Sequence, residues 1–355
     1  MTAIPDQPRA VREEDAFDVA RVDAFLKQHI AGLEGTPTVR QFPGGASNLT
    51  YLLHYANREL VLRRPPRGAK AKSAHDMMRE ARVMDALKAS YPYVPAILAR
   101  CDDESVIGQD FYVMERLRGT ILRRDLPPEL GLDREGVRTL CLAFVDRLIE
   151  LHQVDATQPA LENLSKGEGY IARQLAGWSE RWRQSATEGS DPCEDVIAWL
   201  DAQQPARDNA RCVIHNDFRF DNVVLAADNP LDIVGVLDWE LATIGDPLMD
   251  LGSSLAYWMQ ADDDPVFQSF RRQPTHEAGM LTRREVVAYY GERTGMDVSG
   301  WRFYEVFGLF RLMVIIQQIY RRCALGQTTN PQFAGFGDAA KYMGIRCRRL
   351  MAAKD

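Results

Sequence analysis

Cysteine is scarce and unpatterned here: Cys101, Cys141, Cys193, Cys212, Cys323 and Cys347 show no C-x-x-C spacing. That argues against a zinc site or a disulfide framework and for a reducing compartment. Excess positive charge is missing too. A formal net charge of −7 speaks against a nucleic-acid partner and points to small molecules instead. No uninterrupted apolar run approaches the roughly 18 residues that a membrane span needs. The opening MTAIPDQPRAVREEDAF is polar and acidic and lacks the apolar core of a signal peptide. The expectation is a cytoplasmic chain with no membrane partner. Internal repeats and low-complexity tracts are absent as well. What remains is 355 residues, 46% of them apolar, enough for two lobes with separate cores.

The first fifteen residues read as a loose leader. Residues 16–30 carry Phe17, Val19, Ala20, Val22, Phe25, Leu26 and Ile30 at helical spacing. A β-rich stretch follows. Strands are predicted at 39–42, 49–55 and 59–64, separated by a glycine turn at Gly44 and Gly45 and a turn at Asn57-Arg58, and stopped by Pro65-Pro66. Residues 73–88 form an amphipathic helix through Met77, Ala81, Met84 and Leu87, and 111–116 another strand. Gly119 and Pro127-Pro128 mark a crossing, after which the chain turns helical. A long core helix runs over 134–154 with Val137, Leu140, Cys141, Phe144, Val145, Leu148 and Leu151 on one face, and His152 near its end reads as structural. Trp178, Trp182 and Trp199 read as packing residues, and 301–322 as a further long amphipathic helix.

The most informative stretch is VIHNDFRFDNVVLAADNPLDIVGVLDWE, residues 213–240. His215, Asp217 and Asn222 lie in a polar loop between apolar runs 212–214 and 223–225, and a second run, 233–237, ends in Asp238. This predicts a hairpin that holds two carboxylates and an amide together. Such oxygen ligands suit Mg²⁺, which keeps waters and substrate phosphates among its ligands. One His-x-Asp alone is close to noise, and Asp221-Asn222 or Asp228-Asn229 serve equally well as turn residues. The conjunction of loop and flanking strands outweighs that reading.

His-x-Asp-x-x-x-x-Asn followed by a strand ending in Asp resembles the catalytic and metal-binding segment of protein-kinase-like enzymes. His215-Asn216-Asp217, Asp238-Trp239-Glu240 and the run from Thr243 to Leu251 resemble the aminoglycoside phosphotransferase family, in particular a subgroup related to kinase domains associated with acyl-CoA dehydrogenases. The resemblance implies an α+β, two-lobed protein-kinase-like fold. Residues 1–34 would be a leader and helix, 35–116 a small antiparallel β-sheet lobe with a helix, and 117–355 a larger, mainly helical lobe. It implies ATP and Mg²⁺ as cofactors. Asp217 would accept the proton of the acceptor hydroxyl and Arg219 neutralise the transferred phosphate, while Asn222 and Asp238 hold the metal. Gly45, Ser47 and Asn48 would cover the nucleotide phosphates, although a hairpin turn with no ligand fits the same glycines. Arg63 stands where kinases place a phosphate-binding lysine and would pair with Glu80; Arg64 is the alternative, one register step away. Backbone groups from Glu115 to Leu117 would meet adenine.

Other residues stay ambiguous. Glu240 is either a carboxylate behind the metal or a surface group. Asp246 and Asp250, four apart around Pro247, suggest a helix start with a structural role toward the catalytic loop. Arg311, embedded among apolar residues, suits an anionic part of the acceptor, whereas Asp262-Asp263-Asp264 suits a cationic acceptor or a solvated loop. The reading is a kinase acting on a hydroxyl of a small molecule, a hydroxy acid or hydroxyacyl thioester; its alternatives are an aminoglycoside or choline-like amino alcohol acceptor, and a catalytically inactive nucleotide-binding regulator. A protein kinase is disfavoured because no activation segment precedes Thr243. The oligomeric state stays open.

Overall fold

A computed structural model describes residues 7–43, 48–66, 76–328 and 330–353. Its contacts divide the chain into two compact units, Met1–Ile121 with Asn222–Ala242, and Leu122–Asp221 with Thr243–Asp355. Among the described residues the strands are β1 (Thr38–Gln41), β2 (Leu49–His54), β3 (Glu59–Arg64), β4 (Ile97–Cys101), β5 (Phe111–Glu115), β6 (Gly119–Ile121), β7 (Cys212–Ile214), β8 (Val223–Ala226), β9 (Ile233–Val236) and β10 (Thr243–Gly245). The architecture is α+β.

In the first unit, β1 to β5 form an antiparallel sheet in the order β1-β2-β3-β5-β4. Side chains alternate faces along a strand. Leu60 and Leu62 of β3 therefore join Tyr51, Leu53, Phe111 and Val113 in one core, closed by Val22 and Leu26 of the helix Val19–His29. Asp18 caps that helix by accepting a hydrogen bond from the Arg21 amide. Val61 and Arg63 face the other side. Strand β4 is a sheet edge that the sequence reading left unassigned. Its Ile-Leu-Ala-Arg-Cys run is short and leads into acidic residues, and its register against β5 slips between Ile97 and Ala99.

The loose leader needs correction. Arg9 and Gln41 exchange backbone hydrogen bonds of 2.7 and 2.8 Å, and Asp15 is buried, accepting from Gln41 at 2.8 Å through its carboxylate. The cause lies in β3. Arg64, on the same face as Leu62, buries its guanidinium, and the Asp15 carbonyl supplies an acceptor at 2.6 Å beside the Tyr51 hydroxyl at 2.8 Å. Residues 9–15 are thus tied down by the charge they cover. The helix predicted over 73–88 is observed as Met77–Leu87, capped by Asp76; the predicted residues before 76 lie outside the described residues.

The hairpin expected within 212–238 is observed as the antiparallel pair of β8 and β9, whose second strand leads to Asp238. Strand β8 has both edges occupied, by β6 and β9. Strand β7 therefore pairs antiparallel with β10 in the second unit. Gly245 permits this pairing, since a Cβ there would lie 2.4 Å from Ile214 Cδ1 and 2.8 Å from the Tyr170 ring.

The second unit is otherwise helical. Its main helices are Arg134–His152, Tyr170–Gln184, Glu194–Gln203, Pro247–Leu255, Arg283–Thr294, Trp301–Ala324 and Phe336–Ala352. Trp301–Ala324 is long and apolar enough to cross a membrane by composition alone, and 67% of its most apolar window is buried within the protein. Phe144 stacks on Phe220 at 4.1 Å and contacts Phe218 at 4.8 Å, so the start of the 220–222 turn is anchored in this core.

Candidate active site

Strand β7 delivers the chain to His215, and the following turn is held by a buried carboxylate. Asp246 caps the helix Pro247–Leu255 by accepting from the amides of Leu248 and Met249, and Asp250 follows one turn later. Asp250 accepts from the amides of His215 and Asn216, both at 2.7 Å, and from His152 Nε2 at 3.1 Å. Burial alone would lift its pKa, but the hydrogen bond from His152 holds it below the ordinary carboxylate range. The Tyr290 hydroxyl lies 2.7 Å from His152 Nδ1 and completes the chain of contacts. His152, Asp246 and Asp250 thus support the loop.

Asn216 has a left-handed backbone, φ +65°, which asparagine tolerates better than most residues. Three groups hold it there: Asp250 on its amide, Arg311 Nη2 on its carbonyl at 2.9 Å, and the Tyr170 hydroxyl on its side-chain oxygen at 3.2 Å. The next residue is Asp217. Its amide donates to His215 Nδ1 at 3.2 Å, which makes His215 a prop for the turn. Its carboxylate meets Arg219 twice, at 3.0 and 3.1 Å. Arg219 also lies 3.4 Å from Asp221 Oδ1, and its guanidinium sits 4.6 Å over the Tyr257 ring. Burial would push the Arg219 guanidinium down, yet Asp217 and Asp221 hold it above its ordinary value, so it stays a cation. Burial raises the Asp221 carboxyl. Arg123 Nη1 donates to the Asp221 carbonyl at 3.1 Å.

The first unit assembles a second group of predicted residues. Arg63 is 9% exposed; its Nη1 lies 2.7 Å from Glu80 Oε1 and its Nη2 3.1 Å from Asp238 Oδ1. Burial would lower its pKa, but the charges of Glu80 and Asp238 raise it well above the ordinary value. Arg64 faces the opposite side, so Arg63 is the guanidinium that reaches Glu80. Asp238 has φ +69°, an uncommon backbone for an aspartate, and its carboxylate is 34% exposed. The Leu237 amide donates to the Asn222 carbonyl at 2.8 Å, so Asn222 and Asp238 occupy adjoining ends of the β8–β9 pair. Trp239 is buried, 5.9 Å from the Tyr91 ring, and anchors the residue after Asp238.

The remaining predicted residues are more dispersed. Gly45 and Ser47 lie outside the described residues. Asn48 gives its side-chain amide to Glu240 Oε2 at 2.8 Å, so the Glu240 carboxylate is partnered within this unit. Arg79 donates to the Glu240 carbonyl at 3.0 Å. Glu115 has its amide committed to Ala96 O at 2.9 Å and its carboxylate to the Ala96 amide and Lys88. Leu117 packs onto Gly235, where a Cβ would lie 2.2 Å from Leu117 Cδ1. The acidic run is not an open lure for cations. Asp263 is ion-paired with Arg283 at 2.6 Å and with Arg346, and Asp264 caps the helix Pro265–Ser269.

The donor chemistry of this site fits a magnesium-nucleotide. Among the described residues no cluster of three His, Cys, Asp or Glu side chains forms a protein cage. Mg²⁺ ordinarily takes only one or two protein oxygens beside waters and phosphates, and the Asn222 amide and the partly exposed Asp238 carboxylate are such a set. Sequence reasoning missed Tyr170 and Arg123. These contacts come from segments distant along the chain, and no local pattern flags them. For Asn216 a signal existed, since asparagine between His and Asp at a tight turn points to a left-handed residue.

Comparison with known proteins gives this geometry a setting. Residues 38–286 match the model for the phosphotransferase enzyme family. The chain is 35% identical over 329 residues to acyl-CoA dehydrogenase family member 10 of Mus musculus, and 31% identical over 328 residues to family member 11 of Homo sapiens. These matches cover 91% and 90% of this chain, but the chain spans only 30% and 41% of those two relatives. Among solved structures, a putative aminoglycoside phosphotransferase from Ralstonia eutropha JMP134 is 30% identical with a TM-score of 0.81, covering 96% of this chain and all of that one. Choline kinase from Cryptosporidium parvum shares the fold at 13% identity, with a TM-score of 0.63 over 94% of this chain and 96% of that one. With its kinase-like fold, the chain belongs to the phosphotransferase enzyme family and is a small-molecule kinase.

Proposed function

We propose that the chain uses ATP and Mg²⁺ to phosphorylate a hydroxyl of a hydroxy acid or hydroxyacyl thioester. The observation that carries the reading is the fixed turn at Asp217: its neighbours are bound through backbone and side chain, while its carboxylate meets a paired arginine. Phosphoryl transfer asks little covalent chemistry of a protein and much alignment. Asp217 orients the acceptor hydroxyl and takes its proton, a role worth about 10²–10⁴ in rate. Arg219 supplies positive charge beside that proton transfer, with its guanidinium 4.6 Å over the Tyr257 ring.

In this reading Asn222 and Asp238 hold the metal, Arg63 binds nucleotide phosphates through its fork, and Glu80 keeps Arg63 in place. Gly45, Ser47 and Asn48 cover the phosphates, while the backbone from Glu115 to Leu117 receives the base. With the Glu115 amide committed to Ala96, its carbonyl and the Leu117 amide are the groups offered. The bound magnesium-nucleotide contributes the transferable phosphoryl group and charge neutralisation. The relatives named for acyl-CoA dehydrogenase support an acyl-derived acceptor, and the dehydrogenase activity of those longer proteins is no part of the reading for this chain.

The test is a screen of hydroxylated metabolites with Mg-ATP, read by mass spectrometry, with Asp217→Asn alongside. A phosphorylated hydroxy acid or thioester that disappears in Asp217→Asn is the expected outcome. Phosphorylation confined to amino alcohols or aminoglycosides would replace the acceptor, and equal ATP consumption by both proteins would remove Asp217 from its role.

A further inference from the structure

We propose that Arg311 binds a carboxylate of the acceptor, close to the hydroxyl that is phosphorylated. This rests on the hydroxy-acid reading above and narrows it to the free acid, since a thioester has lost that charge. Arg311 lies on the long helix Trp301–Ala324 and is 5% exposed. Among the described residues, its polar contacts are one hydrogen bond from Nη2 to the Asn216 carbonyl at 2.9 Å and the face of Trp178, 5.2 Å from the ring centroid. No described carboxylate lies within 4.0 Å of it. A guanidinium carries five N–H donors and a charge that does not titrate away, and buried charges are normally paired.

Arg64 provides the internal control. It too is buried without an ion pair, but two carbonyls and a hydroxyl accept from it, and the rings of Phe17 and Tyr51 flank it. Both of its Nη groups have acceptors in the protein, and only Nε lacks one. In Arg311, among the described residues, only Nη2 has one, and the carbonyl it does hold belongs to the residue immediately before Asp217. A carboxylate received by its remaining donors would place a nearby hydroxyl beside the Asp217 carboxylate, with the half-buried Trp178 and Tyr257 as apolar neighbours. The bidentate fit of guanidinium to carboxylate supplies the selection.

The experiment compares wild type, Arg311→Gln and Arg311→Lys on 2-, 3- and 4-hydroxybutyrate, their primary amides and their N-acetylcysteamine thioesters, recording kcat and KM with Mg-ATP. Binding of each acid without nucleotide is measured by titration calorimetry. Wild type is expected to favour an acid over its amide, and Arg311→Gln to raise KM and Kd for that acid about 10- to 100-fold more than it raises those for the amide, whose loss reports only the Asn216 contact. Arg311→Lys recovers part of the acid binding. Equal losses for acid and amide would make Arg311 only a support for the Asn216 turn and overturn the proposal, as would wild-type indifference between the two. Turnover of thioesters alone would overturn it while leaving the kinase reading intact; absence of any Asp217-dependent phosphorylation would remove that reading itself.

Discussion

Arg63 and Arg311 are buried to similar degrees and treated in opposite ways. Arg63, in the first unit, is clasped by Glu80 and Asp238 at 2.7 and 3.1 Å. Arg311, in the second, has a backbone carbonyl and an indole face. A cation between two carboxylates is a fixed part of the fold whose orientation is set before anything binds. A cation without counter-charge contributes little to folding and is open to an anion that arrives later. The two sites separate a charge that the fold has already paired from a charge left for a ligand to pair.

The largest expected effect breaks the first arrangement. Glu80 is fully buried, and Glu80→Ala leaves Arg63 with only the partly exposed Asp238. Losing one partner of a buried pair costs about 3–5 kcal/mol, so urea unfolding should show a loss of that order. Arg311→Met removes one hydrogen bond and an uncompensated charge together, and should cost no more than about 1–2 kcal/mol in the same measurement. If the two variants are equally destabilised, the contrast between a paired and an unpaired buried arginine disappears.

A kinetic comparison comes next. Arg63→Lys keeps a positive charge but presents a single ammonium where a fork spans two carboxylates. It should raise the KM for ATP about tenfold and leave the KM for the acceptor unchanged, whereas Arg311→Gln should do the reverse. Steady-state kinetics with each substrate varied in turn would decide, and a shift of both constants in either variant would count against the separation.

Much of the first unit was legible because its signals are local. Alternation along β3 placed Arg63 with Val61 and away from Arg64, and the strand–turn–strand pattern foretold β1 to β3. The apolar stripe foretold the helix that carries Glu80, and its pairing with Arg63 followed from the family resemblance. The site in the second unit was only half legible. Asp217 and Arg219 stand in a recognisable motif, but Tyr170 and Arg123 reach the loop from segments with no motif of their own. The partner of β7 was hidden for a related reason. Apolar runs announce that strands exist, not which edge is vacant, and the pairing of β7 with β10 depends on β8 being occupied on both sides. The leader failed for the same reason, since a polar segment carries no sign that a buried arginine needs its carbonyls.

Asn216 offers a smaller test of the second unit. Its left-handed backbone costs most residues about 1 kcal/mol, and glycine nothing. Asn216→Gly loses the contact with Tyr170 but relieves that strain, so its stability should stay within about 1 kcal/mol of wild type. Asn216→Ala loses the contact and keeps the strain, and should fall about 1–2 kcal/mol below wild type. Thermal melts of the three proteins would show whether glycine outranks alanine; the opposite order would mean that the side-chain contact dominates the turn.

The smallest effect belongs to a third arginine, which repeats the fork of Arg63 near the surface. Arg348 lies 2.8 Å from Asp191 and 2.6 Å from Asp195, with side chains 33%, 29% and 51% exposed respectively. Its hydrogen bonds hold the Asp191 carboxyl at about 2, below the usual 3.8. A depressed carboxylate stabilises the fold above its unfolded pKa, and that contribution fades as pH falls through the folded value. The stability difference between wild type and Asp191→Asn should therefore be constant above about pH 5 and shrink progressively between about pH 4 and pH 2. Solvent screening limits it to no more than about 1 kcal/mol, well under the effect of Glu80→Ala. Denaturant unfolding across that pH range in low salt would measure it, and a difference as large as that of the buried fork would show that exposure is not what separates the two arginines.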